Sequence, residues 1–554
     1  SIATSGLIAY FFPAITSPYY FANLSNRWDE VLWPHLPKAL SPLDPRGGAL
    51  AIKWFWEGLV PGEPIPWGPW LAPLATWGVF LMAMFACMMA IMVIMRKQWM
   101  DHEHLSFPIA QVPAELCAVA AAPGHPSSVF RSKAFWIGLA FTFALASVGG
   151  VSYYLGRPYF IRIRHWIDLG EEPWRLPIYL DLVVMGLVFL IPNRIAFTVW
   201  SVALVSWFIR SIMTEYHLNM TNPWVYGNEM NHLSMGATVV FVVGSVWLSR
   251  GHLRRALRCA LGRGERDYDL GEPSSYRAAF LTVLFSLILM VVWFDRVGLD
   301  WYYAIVVLPV TLAIYYAMAR VVAQCGLPMA SPPIYPNVFM ASTFGSGTLG
   351  AGRLAALGMH MGWHFDMRNS VMSGSGHGMY LTRRRRGGLF WAMLLGVLIT
   401  YVAACYCTIW ICYRYGGLNM DGWFFGTYPK VVPWGWTRAA IADYGGPSVG
   451  RMVWGGVGAL LMAGLMVAQR TLFWWPLHPV GLLICASHMV YFFWFSVFMA
   501  WLVKVVLVMV GGPATFRPAR RFFIGMVMGY FLAGGIRAVI DTITHSTGNA
   551  VFYI

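Results

Sequence analysis

The sequence predicts an all-α, polytopic transmembrane helix bundle of about 12 membrane segments, with broken or re-entrant helices and two related halves. Three observations predict it. Only 11% of the 554 residues are charged and 58% are hydrophobic, whereas an ordinary soluble chain is about 25% charged. The apolar residues fall into runs near the length that a helix needs to cross a bilayer, about 20 residues. The basic residues cluster in short loops between those runs. Soluble enzymes, secreted scaffolds and disordered proteins are excluded.

The runs place spans near 71–95, 134–155, 178–192, 194–213, 231–249, 278–295, 301–323, 388–413, 452–469, 473–488, 489–511 and 522–540. Orientation follows from the lysines and arginines. Arg96-Lys97, the six Arg of 250–266, Arg383 to Arg386, and Arg517, Arg520 and Arg521 share one side if 178–192 with 194–213, and 473–488 with 489–511, are helical hairpins. The net charge of +15 is then positive-inside patterning, and no nucleic-acid partner is expected. Residues 17–69 and 416–450 fall outside, as does 156–176, whose four Arg are offset by Asp168, Glu171 and Glu172 and which is expected to pack on itself. The organisation reads as an outer segment 1–70, a first half 71–249, a basic cytoplasmic loop 250–277 and a second half 278–554. Residues 1–15 resemble the end of a membrane segment, with further helices expected upstream.

Two stretches read as helices that do not simply span. Residues 104–116 carry two prolines and an acid, Glu115. Residues 324–381 are rich in Gly, Ser, Pro, Met and His, too apolar for a solvated loop and too interrupted for one helix. In lipid such backbone survives only inside protein or beside a water-filled cavity, the pattern of discontinuous transporter helices. An internal repeat points the same way: Trp200, Trp207 and Arg210 have the spacing of Trp494, Trp501 and Lys504, about half the chain later, each set in the second helix of a proposed hairpin. Chance recurrence in a Trp-rich chain is the competing explanation.

Several of these segments resemble the oligopeptide transporter superfamily. LSFPIAQVPAEL at 105–116 is similar to its L-[ST]-[FY]-P helix, and Ala319-Arg320 through Gly326-Leu327-Pro328 is similar to its Ala-Arg, Gly-Leu segment. His478-Pro479-Val480-Gly481 with 495–504 resembles the ending of a poorly characterised prokaryotic branch. The likeness covers about 60–540 and departs at Asn193-Arg194, where an acid and serines are expected, and at 372–376, where a proline-containing turn is expected. It implies a proton-coupled symporter of a bacterial cytoplasmic (inner) membrane, moving a short peptide, metal chelate or related small anion by alternating access. No enzyme activity and no cofactor are expected. The rival reading is a non-transporting scaffold subunit of a larger membrane complex, and a homo-oligomer is compatible with either.

Charged groups inside spans are costly and need a partner or a wet site, so they nominate the candidates. Lys504 binds a substrate carboxylate, pairs with a coupling acid, or snorkels to the interface. Arg320 suits a carboxylate bidentately, and His478, beside a Pro- and Gly-broken helix, is a substrate or proton site. Trp494 and Asp366 complete the substrate set. Proton coupling is assigned to Asp181, His488 and Glu115, with Asp181 alternatively an outer-end acid near Arg175. His360 and His364, four apart on one helix face, are the candidate metal ligands, against a loop whose histidines bond carbonyls. The cysteines form no paired outward spacing and, with Met82 to Met95, read as core.

Overall fold

The computed structural model describes residues 9–44, 49–121, 129–156, 163–171, 173–264, 267–327, 331–365, 370–382 and 387–546, with 117–121 and 163 described by their backbone alone. It is an all-α membrane-protein fold. Among the described residues nine helices are long and apolar enough to cross a bilayer, running from Gly68–His102 to the 57-residue His488–Thr544, which turns at Gly512 (φ 60°).

The difference from about 12 lies mainly in the two hairpins. Their second arms are the long helices Asn193–Glu215 and His488–Thr544, but their first arms are only Leu182–Phe189 and Val480–Ile484. Pro192 ends the first arm. In the second, Pro476 and Pro479 lack the N–H that a helix interior requires. The 156–176 loop does pack on itself: Ile163–Asp168 pairs antiparallel with Arg175–Leu180, and Arg175 bonds Asp168 at 3.0 Å.

The chain divides into two compact units, each drawn from both sequence halves. Unit 1 is Ser1–His104, Met220–Ala319 and Pro332–Leu461. Its core is aromatic and extends into segments expected as outer loops: Trp56, Tyr428, Trp434 and Trp436 are fully buried because short helices at Leu50–Glu57, Tyr428–Val431 and Pro433–Ala442 fold them inward. At the basic end, buried Arg96 is held by Glu272 and Asp101. Beside it, His252 on Arg250–Ala260 uses both ring nitrogens, Nε2 with the Ile94 carbonyl at 2.7 Å and Nδ1 with the Tyr268 hydroxyl at 2.8 Å.

Unit 2 is Leu105–Asn219, Arg320–Ser331 and Met462–Ile554. Its two most closely packed helices, Lys133–Tyr154 and the second arm of His488–Thr544, meet backbone to backbone through glycine. A Cβ on Gly138 would lie 2.1 Å from the Phe522 carbonyl oxygen, and on Gly525 2.1 Å from that of Phe135. In lipid, where burying apolar surface adds little, such close approach is a main source of helix association.

Replacing Gly525 by Ala is therefore expected to lower stability by about 1–3 kcal/mol through overpacking. Gly535→Ala on the same helix, where an added Cβ meets nothing within 4 Å, should leave the melting temperature in detergent unchanged or higher. Burial holds the His252 pKa below its ordinary value, opposed by the bond to Ile94 and deepened by His102 and Lys97. With the folded value depressed, the unfolded chain binds the proton first. This histidine therefore costs no stability above about pH 6.5 and increasingly destabilises as pH falls below it. Melting curves from pH 8 to 5 should flatten in His252→Gln.

Candidate functional site

The two broken hairpins, one from each half of the chain, pack together inside unit 2. At the first break the helix Leu182–Phe189 starts on Asp181, whose Oδ1 accepts the Val183 and Val184 N–H groups at 2.9 Å each. The Asp181 N–H donates to Ser496 Oγ at 2.8 Å, and that hydroxyl donates to the Tyr179 carbonyl at 2.7 Å. At the far end the Ile191 carbonyl, left over where Pro192 interrupts the helix, accepts from Lys504 Nζ at 2.6 Å. The same ammonium lies 5.6 Å from the Phe189 ring and 5.2 Å from that of Phe516. Asp181 and Lys504 are thus the two caps of one short helix.

The second break meets the first. Arg194 donates to the Trp475 carbonyl. Thr198 Oγ donates to the Arg194 carbonyl and accepts from the His478 N–H, both at 2.8 Å. The Val480 N–H donates to His478 Nδ1 at 3.2 Å, which leaves the ring proton on Nε2. The two breaks pack closely at Gly481, where an added Cβ would sit 2.6 Å from Thr198 Cγ2. Arg194 and Arg320 both act electrostatically on His478, so three basic groups gather where the two hairpins break.

Arg320 is within electrostatic reach of His478, while Lys504 is engaged at the end of the 182–189 helix. Trp494 is a brace: its indole donates to the Pro177 carbonyl at 2.7 Å. Trp200 and Trp501, one from each copy of the proposed repeat but not at equivalent positions, lie 5.5 Å apart between ring centres. Glu115 is paired with Arg520, which also reaches Gln111 at 3.1 Å. His488 is exposed at the start of its helix, its ring 4.7 Å from that of Phe492. Residues 105–116 and 319–327 are joined, the Phe107 N–H donating to the Ala323 carbonyl at 2.8 Å.

Two residues of this site escaped the sequence reading. Arg194 was visible only as a departure from a family pattern, although the rule that singled out Lys504, a charge inside an apolar run, applies to it equally. Thr198 carried no signal, because its role depends on a backbone N–H from 280 residues away in sequence.

Unit 1 holds the other candidates. The interrupted stretch is the helices Pro336–Phe344, Ser346–His364 and Val371–Leu381, separated at Gly345 and Ser370 and kinked at Gly350 (φ 72°). His360 and His364 sit deep in the unit with ring centres 4.3 Å apart. Asp366 lies outside the described residues.

A family model matches residues 1–553. The chain belongs to the family of unknown function DUF6785. No curated protein matches it. In this DUF6785 chain the capping roles make separable predictions. Lys504→Met strands a buried carbonyl and should cost about 1–3 kcal/mol in a thermal melt. Asp181→Ala should cost about 1 kcal/mol, while Asp181→Asn, an equally good cap, should melt like the parent. A coupling acid would instead lose its function in the Asn variant.

Proposed function

We propose that this protein is a secondary transporter of a prokaryotic inner membrane rather than an enzyme, similar to the proton-coupled carriers of the oligopeptide transporter superfamily and working by alternating access. The observation that carries the reading is the meeting of two interrupted hairpins, from opposite halves of the chain, with Arg194, Arg320 and His478 gathered at the breaks. Carriers built from repeats bind substrate where discontinuous helices from the two repeats meet, because broken helices leave backbone dipoles for a ligand. Two guanidinium groups there, with the neutral His478 ring offering an Nε2–H donor, favour a small anion. A short peptide or a metal chelate, each bearing carboxylate, is the substrate class. Proton coupling falls to His488 or to the Glu115–Arg520 pair, since the Asp181 carboxylate is engaged as a cap.

The test is thermal stabilisation of the detergent-purified protein by di- to pentapeptides, metal chelates and small carboxylates at two pH values. A ligand present at a hundredfold excess over its Kd stabilises by about 2.7 kcal/mol. Stabilisation is expected in the parent and in Asp181→Asn, and is expected to disappear in Arg194→Gln and Arg320→Gln. Absence of any response, together with a partner protein retained through purification, would favour the scaffold reading instead.

A further inference from the structure

Three membrane-length helices of unit 1, Gly68–His102, Tyr276–Val297 and Leu389–Tyr415, leave an apolar groove of about 770 Å³ between them. Its floor is made of small residues, Ala83, Ala86 and Thr282, and its rims of Phe285, Leu395 and Trp391, each more than half exposed. The Thr282 hydroxyl donates to the Ala278 carbonyl of its own helix at 2.8 Å, so the floor asks for no polar partner. On the second and third helices the groove occupies the first half, at the basic end. There the Phe390 N–H donates to the Pro273 carbonyl at 3.3 Å, which sets the starts of those two helices side by side, and Arg96 ties the first helix to the same end through Glu272. Opening among spanning helices, the groove faces hydrocarbon, so its occupant is apolar along its length.

We propose that this groove holds an acyl chain of a phospholipid with an anionic headgroup, and that Arg277 takes the headgroup phosphate. Arg277 is exposed, stands one turn before Leu281 and two before Phe285 on the same helix, and pairs with no acid among the described residues. From Arg277 to Leu289, the groove residue furthest from it on that helix, the rise is about 18 Å. One leaflet of the bilayer core is about 15 Å thick. A chain lying along 281–289 therefore runs from near the midplane to the interface, where the guanidinium can pair with phosphate bidentately. Trp391 lies at the same end, and its indole is a side chain suited to headgroup level. The start of Leu389–Tyr415 has no side-chain cap at Gly388, so its positive dipole end also favours an anion there. The chain alone gives no selectivity, since bilayer tails are as apolar as the groove. The headgroup decides, and a zwitterionic one carries a cation that Arg277 repels. A helix from a second copy of this chain would meet bulky rims, whereas close helix pairing in lipid uses small residues.

This inference does not rest on the carrier reading, since unit 1 can hold a lipid whether or not unit 2 moves an anion. The full chain in detergent is titrated with phosphatidylglycerol and with phosphatidylcholine of the same acyl chains, and bound lipid is read by native mass spectrometry. Phosphatidylglycerol is expected to bind about fivefold more tightly, the factor that corresponds to about 1 kcal/mol for one basic residue at a membrane surface. Arg277→Gln should remove that preference. Arg254→Gln, at an exposed position on Arg250–Ala260, should keep it. Ala86→Phe, which fills the floor, should lower the binding of both lipids. Because that variant can fail to fold, phosphatidylglycerol with a photoreactive acyl chain is also cross-linked to the parent, with adducts expected within 79–86, 281–289 or 391–398. Equal affinity for the two lipids, a preference that survives Arg277→Gln or is lost equally in Arg254→Gln, unchanged binding in a folded Ala86→Phe variant, adducts confined to other segments, or a dimer of this chain joined through the groove would each overturn the proposal.

Discussion

Lipid offers no hydrogen bonds, so every backbone group freed where a helix breaks must be satisfied by the protein itself. Much of unit 2 follows from that constraint. Pro192 interrupts a hairpin, and the carbonyl it leaves at Ile191 is taken by Lys504. The free N–H groups at the other end of the same short helix are taken by Asp181. The Pro479 break leaves the His478 and Val480 N–H groups, which find Thr198 and the His478 ring. Residues that look expensive in an apolar span are thus the means by which the span can be broken at all.

That explanation separates two kinds of buried polar residue. Asp181, Lys504, Thr198 and Ser496 have their bonds accounted for by backbone groups, and their chemistry is spent on the fold. His360, His364 and Asn337 have no such account within the described residues. A break in a helix permits function, but the groups left over after the break is repaired are the ones with chemistry to offer. In unit 1 they are the paired imidazoles.

Packing imposes a second constraint. Where apolar burial drives association only weakly, helices must approach until dispersion and backbone contact suffice. Glycine provides this at Gly138 and Gly525 in unit 2, and at Gly458 in unit 1, where a Cβ would lie 1.9 Å from the Leu233 carbonyl oxygen. Aromatic rings do the opposite work, filling unit 1 through segments that hydropathy alone assigns to outer loops, such as Trp434 and Trp436.

The sequence by itself determined the class of fold and most of the spanning helices, because hydropathy over about 20 residues and the grouping of basic residues are one-dimensional signals that the bilayer reads directly. It also located the interrupted stretch at 324–381 and the hairpin context of the Trp repeat, since Pro and Gly act locally on the backbone. Only the tertiary structure decided that 178–192 and 473–488 are short arms, that Lys504 and Asp181 serve opposite ends of one helix, and that Arg194 joins Arg320 around His478. Each of those facts depends on which distant backbone group a side chain meets. Local sequence says what a residue costs in the membrane, and long-range packing decides how that cost is met.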